Sequence, residues 1–213
     1  MEIEELVGGG APLLGEPLAV ELANATFTVR SREVDGLRTV AQLAAWLRDN
    51  RDRFGTRLSD EDLRGVSAGD LDQARALRAA IRALASASVR GGTPPADAVE
   101  EINRLVRQAP GWHELVWAGE PYRTERTTAS VQAAALGELA ASAVELFAGP
   151  RRDRLRACQA PGCVLFFVKD HARREWCSPV CGNRVRAARH YERHRKTSEP
   201  PGVEHQGGRQ IST

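Results

Sequence analysis

Hydrophobic residues recur at helical spacing in four stretches of the first 150 residues. Apolar residues at positions i, i+3, i+4 and i+7 line one face of an α-helix, so each stretch predicts an amphipathic helix. The four stripes are formed by Val40, Leu43, Ala44 and Leu47; by Leu71, Ala74, Leu77, Ile81 and Leu84; by Val99, Ile102, Leu105 and Val106; and by Val131, Ala135, Leu139, Ala143 and Phe147.

Polar residues, glycines and prolines indicate where these helices begin and end. Short polar side chains between Ser67 and Asp70 can cap the second helix, and Gly91-Gly92 stops it. Pro94-Pro95 suits the start of the third helix, because a proline in the first turn sacrifices no internal hydrogen bond. Pro110-Gly111 ends that helix, and Gly149-Pro150 breaks the fourth.

Two segments have the pattern of β-strands. Leu18, Val20 and Leu22 lie at period two, which predicts a strand over residues 17–24. The segment Trp112 to Thr127 contains two runs of strand-forming residues around a central glycine, which predicts a hairpin. The predicted fold class is α+β, with a mostly helical N-terminal domain over residues 1–150 that carries a short strand and a hairpin.

The charge is distributed unevenly along the chain. Residues 151–197 hold 13 Lys/Arg and 4 Asp/Glu, a charge of +9, whereas the whole chain carries only +2. A basic segment attached to an acidic body predicts a polyanionic partner, most often nucleic acid. Residues 198–213 are polar and rich in Gly and Pro, which predicts a disordered tail.

The sequence contains no uninterrupted apolar run of 18 residues and no basic start followed by an apolar centre at its N-terminus. We therefore expect a cytoplasmic protein without a membrane span. Phosphate-binding glycine loops, nucleophile elbows and paired-histidine metal motifs do not occur either, so we expect no enzymatic activity.

All four cysteines fall in one window, spaced C-x4-C and C-x3-C with 13 residues between the pairs. Two closely spaced pairs can converge on one tetrahedral ion, and Zn²⁺ is the ion that four thiolates favour. The predicted metal ligands are Cys158, Cys163, Cys177 and Cys181, with His171 as an alternative ligand. Four thiolates close the coordination sphere, so the predicted zinc is structural. Disulfides are the alternative, disfavoured in a reducing compartment.

A basic helix is predicted directly after the last cysteine, from Asn183 to Lys196, with no helix breaker before Pro200. Val185, Ala188 and Tyr191 are expected to turn back toward the metal site. The predicted DNA contacts are Asn183, Arg184, Arg186, Arg189, His190 and Arg193. Arginine can pair with guanine and asparagine with adenine in the major groove, and Asn183 and Arg184 are the predicted base readers. A solvated face of this helix is the alternative interpretation.

Four arginines ahead of the first cysteine are predicted phosphate contacts: Arg151, Arg152, Arg154 and Arg156.

Cys181-Gly182-Asn183-Arg184 resembles the signature of the CGNR zinc finger, and Arg174, Trp176 and Cys177 resemble its usual approach. The N-terminal part is similar to the ABATE domain that precedes this finger, through Leu14 to Pro17, the Asp35 to Leu47 segment and Ala74 to Arg78. The resemblance implies a stress-induced transcription regulator of actinobacterial type that binds DNA through a finger over residues 151–197.

Two other functions stay open from the sequence. The finger could be an interaction module for protein or RNA that does not bind a specific DNA sequence. The N-terminal domain could also sense a small-molecule effector, with Asn24, Trp46, His113, Trp117 or Tyr122 lining a pocket, although aromatic residues at such spacing usually fill interiors.

Overall fold

The computed structural model describes residues 10–198. Seven helices and six strands follow one another along this part of the chain. In order they are α1 (Leu18–Ala23), β1 (Thr26–Val29), β2 (Arg32–Asp35), α2 (Val40–Asp49), α3 (Asp60–Arg64), α4 (Ala68–Arg90), α5 (Ala96–Gln108), β3 (Gly111–Ala118), β4 (Glu120–Thr127), α6 (Val131–Ala148), β5 (Leu155–Ala157), β6 (Phe166–Val168) and α7 (Pro179–Ser198). The predicted α+β class is confirmed.

The four predicted helices of the first 150 residues are confirmed as α2, α4, α5 and α6. The Ser67 hydroxyl caps α4 by accepting a hydrogen bond from the backbone N–H of Asp70 (3.2 Å), and the Asp70 carboxylate accepts one from the Ser67 N–H (2.8 Å). Two backbone donors at the helix start are thereby satisfied, which favours the start of the helix at this point. Thr39 and Ser59 make the same reciprocal pair at the starts of α2 and α3.

The predicted strand over residues 17–24 is wrong, because Leu18–Ala23 is the helix α1. Pro17 precedes it and its carbonyl accepts hydrogen bonds from Val20 (2.7 Å) and Glu21 (3.0 Å). Ala19 to Ala23 are all buried, so this short helix is surrounded by protein on every side. A period-two pattern identifies a strand only when alternate residues face water, and here none do.

A hairpin that the pattern did not predict follows α1. Its strands β1 and β2 are antiparallel, with Phe27 opposite Val34 and Val29 opposite Arg32. The two loop residues, Arg30 and Ser31, have φ angles of 48° and 64°. Two positive φ angles in a two-residue loop match the type I′ turn, which usually requires Asn-Gly. The sequence lacks that signal, so the turn was not recognisable.

The core of the N-terminal part lies where α1, α4, α5 and α6 pack together. α6 is long and apolar enough to cross a membrane by composition, and it is the one helix of residues 10–198 that passes this test. Leu136, Leu139, Ala143 and Leu146 are nevertheless buried against the other helices. The apolar composition of α6 is therefore explained by its burial in this core.

The predicted hairpin after α5 is confirmed as β3 and β4, with Ala118 opposite Glu120 around Gly119. Its side chains face water on both sides: Trp117 is 73% exposed on one face and Trp112 is 44% exposed on the other. Among the hairpin residues whose burial is described, only Val116 and Thr124 are partly buried.

The last part of the chain packs onto the first. β5 contacts α4 and β6 contacts α1, and the buried residues of both strands belong to the same hydrophobic cluster as the helices. Because the two parts share one hydrophobic cluster, the division into a domain of residues 1–150 and a finger of residues 151–197 stays a prediction. The predicted disordered tail, 198–213, lies outside the described residues except for Ser198.

Candidate metal centre

The first cysteine pair lies in a tight turn that follows β5. The Cys163 N–H donates to the Ala160 carbonyl at 2.9 Å, which closes a four-residue turn with Pro161 and Gly162 at its centre. Gly162 has a φ of 69°. Proline followed by a residue with positive φ is the pattern of a type II turn, which this dipeptide forms. The turn brings Cys158 and Cys163 to the same side.

The second pair spans the start of α7. Ser178 precedes the helix, Pro179 is its first residue, and the Ser178 hydroxyl accepts a hydrogen bond from the Cys181 N–H at 3.3 Å. Serine before and proline at the first position are favoured helix starts. Cys181 thus lies in the first helical turn, where the helix dipole favours a thiolate. The metal site and α7 are therefore one structural unit.

The four sulfur atoms converge within 4.8 Å of one another. The Sγ atoms of Cys177 and Cys181 are 3.4 Å apart, and each lies 3.8 Å from the Sγ of Cys163. Tetrahedral Zn²⁺ with bonds of about 2.3 Å requires sulfurs about 3.8 Å apart, so the cluster fits the ion. All four cysteines are free thiols, so the disulfide alternative is wrong. His171 lies outside the cluster with an exposed side chain beside Asp170.

Without a bound cation, the four cysteine thiols do not all lose their protons readily. Hydrogen bonds from the other cysteines lower the pKa of Cys158 to about 6 and also lower the pKa of Cys181. The same bonds raise the pKa values of Cys163 and Cys177. Two thiols thus give up protons readily and two hold them, because adjacent thiolates repel one another. A divalent ion removes this repulsion, which couples metal binding to the structure of the segment.

The predicted basic helix is confirmed as α7, although it begins at Pro179 and not at Asn183, so Cys181 lies within it. α7 separates the predicted DNA contacts into two groups. Asn183, Arg186, Arg189, His190 and Arg193 are exposed, and their helical spacing places them on one stripe opposite the buried Cys181 and Val185. Arg184 lies off this stripe: its Nη2 donates to the Cys181 Sγ at 3.0 Å. Tyr191 is 71% exposed, so its predicted packing against the metal site is wrong.

Two family models match the chain in the order that the resemblance implied. The model ABATE, described as "Putative stress-induced transcription regulator", matches residues 16–150. The CGNR zinc finger model matches residues 154–194. The chain belongs to the ABATE family. It carries a CGNR zinc finger at its C-terminal end, and no curated protein matches it.

The ABATE segment holds the CGNR finger through a buried ion pair that sequence reasoning missed. The Glu16 carboxylate, 2% exposed, accepts hydrogen bonds from the Arg174 guanidinium and from the Val168 N–H (2.9 Å). Arg174 also donates to the Cys177 carbonyl (3.1 Å) and lies over the Phe167 ring. Burial raises the pKa of Glu16, and Val168 and Arg174 oppose that rise. The ion pair therefore joins the start of the ABATE match to a metal ligand.

Asn24 forms a second connection. Its side-chain amide donates to the Phe166 carbonyl and accepts from the Phe166 N–H, each at 2.9 Å. This pairing continues the edge of β6 as a further strand would, and Asn24 is fully buried. Arg82 of α4 lies over the Phe166 ring and donates to the Ala23 carbonyl at 2.8 Å. Asn24 thus positions the finger.

Gly182 of the CGNR signature has a packing role. A Cβ at this position would lie 3.0 Å from Cδ1 of Trp176. A side chain at this position would therefore have to push the indole ring aside by a few tenths of an ångström. The two aromatic residues of β6, Phe166 and Phe167, are both buried.

The residues predicted for an effector pocket are not brought together. Asn24 and Trp46 are buried in the core, whereas His113, Trp117 and Tyr122 lie on the exposed β3–β4 hairpin. The arginines before the first cysteine are exposed at the start of the finger, as phosphate contacts would have to be.

Proposed function

We propose that this protein is a DNA-binding transcription regulator that presents α7 to the major groove. The observation that supports it best is the exposed cationic stripe of α7, which begins at Asn183, two residues after the metal ligand Cys181. A helix fixed at its start by a closed metal site has a defined direction, which major-groove binding requires.

The chemistry of the stripe suits base and phosphate contacts. The Arg186 guanidinium donates to the Asn183 side-chain oxygen, so these two side chains already lie together at the start of the stripe. Arginine and asparagine are the side chains that pair with guanine and adenine. We assign Asn183 and Arg186 to base contacts, and Arg189, His190 and Arg193 to contacts with bases or backbone.

The exposed arginines between Arg151 and Arg156 would add phosphate contacts. They lie on the approach to β5, before the first metal ligand. Phosphate contacts supply affinity that falls steeply with salt and orient the protein on the duplex. We assign the zinc a structural role and the chain no catalytic step, and we infer a soluble, cytoplasmic protein.

Selection of bound sequences from a random duplex pool, using the zinc-loaded full chain, tests the proposal. We expect an enriched motif and an affinity that falls linearly with the logarithm of salt concentration. Arg186→Ala should weaken binding to that motif by about 1–3 kcal/mol if it contacts a base. Arg90→Ala removes the same charge from an exposed position at the end of α4 and serves as the matched control.

Competition with single-stranded RNA and with protein partners distinguishes the alternative. An interaction module for protein or RNA would yield no enriched duplex motif and would lose its partner to RNA or protein competitors. Equal effects of Arg186→Ala and Arg90→Ala would contradict the assignment of α7 as the reading helix.

A further inference from the structure

A cavity of about 410 Å³ lies between the β1–β2 hairpin and the start of α7. One wall is formed by the chain just before the ABATE match and by the β1–β2 hairpin, and it includes Leu13, Thr28 and Arg30. The other wall belongs to the CGNR finger and includes Val180, Cys181 and Arg184. Cavities of this size accommodate small organic ligands. Any ligand bound here would contact both segments at once.

The walls of the cavity are mainly apolar and partly exposed. Leu13 is 41% exposed and Val180 is 37% exposed, and the two side chains lie on opposite walls. Most exposed hydrophobic residues need no explanation, but two that line one cavity indicate a surface suited to an apolar group. The body of a fitting ligand is therefore hydrophobic.

The cavity also contains polar groups whose bonding is incomplete. The Thr28 hydroxyl is buried and has no hydrogen-bond partner within residues 10–198. Buried hydroxyl groups are nearly always bonded, so an unpaired one behind a cavity wall is a donor that rotation of its side chain can offer to a ligand atom.

Arg30 sits at the tip of the β1–β2 hairpin in a backbone conformation that arginine disfavours. Its φ is 48° and that of Ser31 is 64°, where glycine and asparagine are usual. Its guanidinium forms no ion pair with any residue in the described range 10–198. Backbone strain of this kind is found at ligand-binding positions, where the side chain has a use that offsets it.

We propose that this cavity binds a small amphipathic carboxylate. The apolar body of the ligand packs between Leu13 and Val180, and its carboxylate binds the Arg30 guanidinium. The Thr28 hydroxyl donates to the same end once its side chain rotates into the cavity. Arg184, which donates to the Cys181 Sγ, adds positive charge on the finger wall. A ligand held this way fixes the first turn of α7 against the ABATE segment. The consequence for DNA affinity rests on the proposed function, whereas the binding itself does not.

Calorimetry on the zinc-loaded full chain without DNA tests the proposal, with 2-naphthoate as the probe and 2-naphthamide as its uncharged match. We expect saturable 1:1 binding of the carboxylate, about tenfold tighter than the amide, because a charge-assisted hydrogen bond is lost in the amide. Arg30→Gln should remove this preference and leave amide binding unchanged. Arg32→Gln, an exposed arginine directly after the turn, is the matched control.

Two further variants separate binding from folding. Val180→Trp should fill the cavity and abolish binding of both probes while the protein keeps one equivalent of zinc. Arg30→Gly should raise the melting temperature, since glycine accepts the positive φ, and should nevertheless lose the carboxylate preference. The absence of saturable binding, equal affinity for the two probes, or full binding by Val180→Trp would overturn the proposal. A protein that binds 2-naphthoate but no duplex would contradict the proposed function alone.

Discussion

Two antiparallel hairpins of this protein, β3–β4 and β5–β6, contrast in length and in burial. The strands of β3–β4 are eight residues long and expose Trp112, Leu115, Trp117 and Tyr122 to water. The strands of β5–β6 are three residues long, yet every residue of β6 is buried. An isolated two-stranded ladder is marginal in water, so the shorter hairpin must take its stability from elsewhere. It has the metal cluster on one side and Asn24, Glu16 and Arg82 on the other.

Removing the metal should have the largest effect on this contrast. Chelation of zinc, or Cys177→Ser, should release β5, β6 and the first turn of α7, because zinc contributes about 10–16 kcal/mol to small zinc-dependent folds. Hydrogen exchange resolved by peptide should then accelerate across residues 155–185 and stay unchanged across residues 111–127. Restoring zinc to the chelated protein is the control, and an equal acceleration in both hairpins would contradict the prediction.

Breaking the buried ion pair should have the next largest effect. Arg174→Met leaves the Glu16 carboxylate buried without its partner, which should cost about 3–5 kcal/mol of the free energy of unfolding in urea. Glu16→Gln combined with Arg174→Met should recover part of that loss, because the uncompensated charge is then gone. A double variant no more stable than Arg174→Met would show that lost packing on Phe167 dominates.

Asn24→Ala should cost about 2–3 kcal/mol, since it leaves both backbone groups of Phe166 unpaired in the core. Urea denaturation measures the loss. Asn103→Ala, the same change on the half-buried side of α5, is the matched control and should cost far less. Equal losses would mean that Asn24 does not support β6.

A pH dependence should come from Glu21, which is fully buried in α1 beside Glu16 and Arg53. Burial raises the pKa of Glu21 above its usual value of 4.5, more than hydrogen bonds from Leu14 and Glu16 lower it. A raised pKa in the folded state means that its contribution to stability is full below pH 4.5 and falls as pH rises through the folded pKa. The stability of the natural protein relative to Glu21→Gln should therefore decrease over that interval. A difference independent of pH would contradict the prediction.

The smallest effect should come from the exposed hairpin. Trp117→Ser should change the free energy of unfolding by no more than about 0.5 kcal/mol, because a side chain 73% exposed has little packing to lose. Thermal denaturation suffices as the measurement. A loss of several kcal/mol would mean that β3–β4 supports the fold as strongly as β5–β6 does.

The metal ligands were predictable because all four cysteines of the chain lie in two closely spaced pairs, the spacing that lets thiolates converge on one tetrahedral ion. The helices α2, α4 and α5 were predictable because each has one exposed polar face and one buried apolar face, with capping or breaking residues at the ends. α6 was predictable from its alanine-rich apolar run between Ser130 and Gly149. α1 was mistaken for a strand because all its neighbours are protein, so no face is marked by polar residues. The β1–β2 hairpin was missed because Arg30 and Ser31 occupy a turn that other residues usually form.

The sequence by itself determined the local chemistry: four cysteines in two chelating pairs, a cationic segment after them and a set of amphipathic helices. Only the tertiary structure decided how the finger is attached. Glu16 and Asn24 lie more than 140 residues before their partners Arg174 and Phe166. No periodicity connects residues so far apart, since such contacts arise when separate segments bury polar groups that must then find partners in the same core.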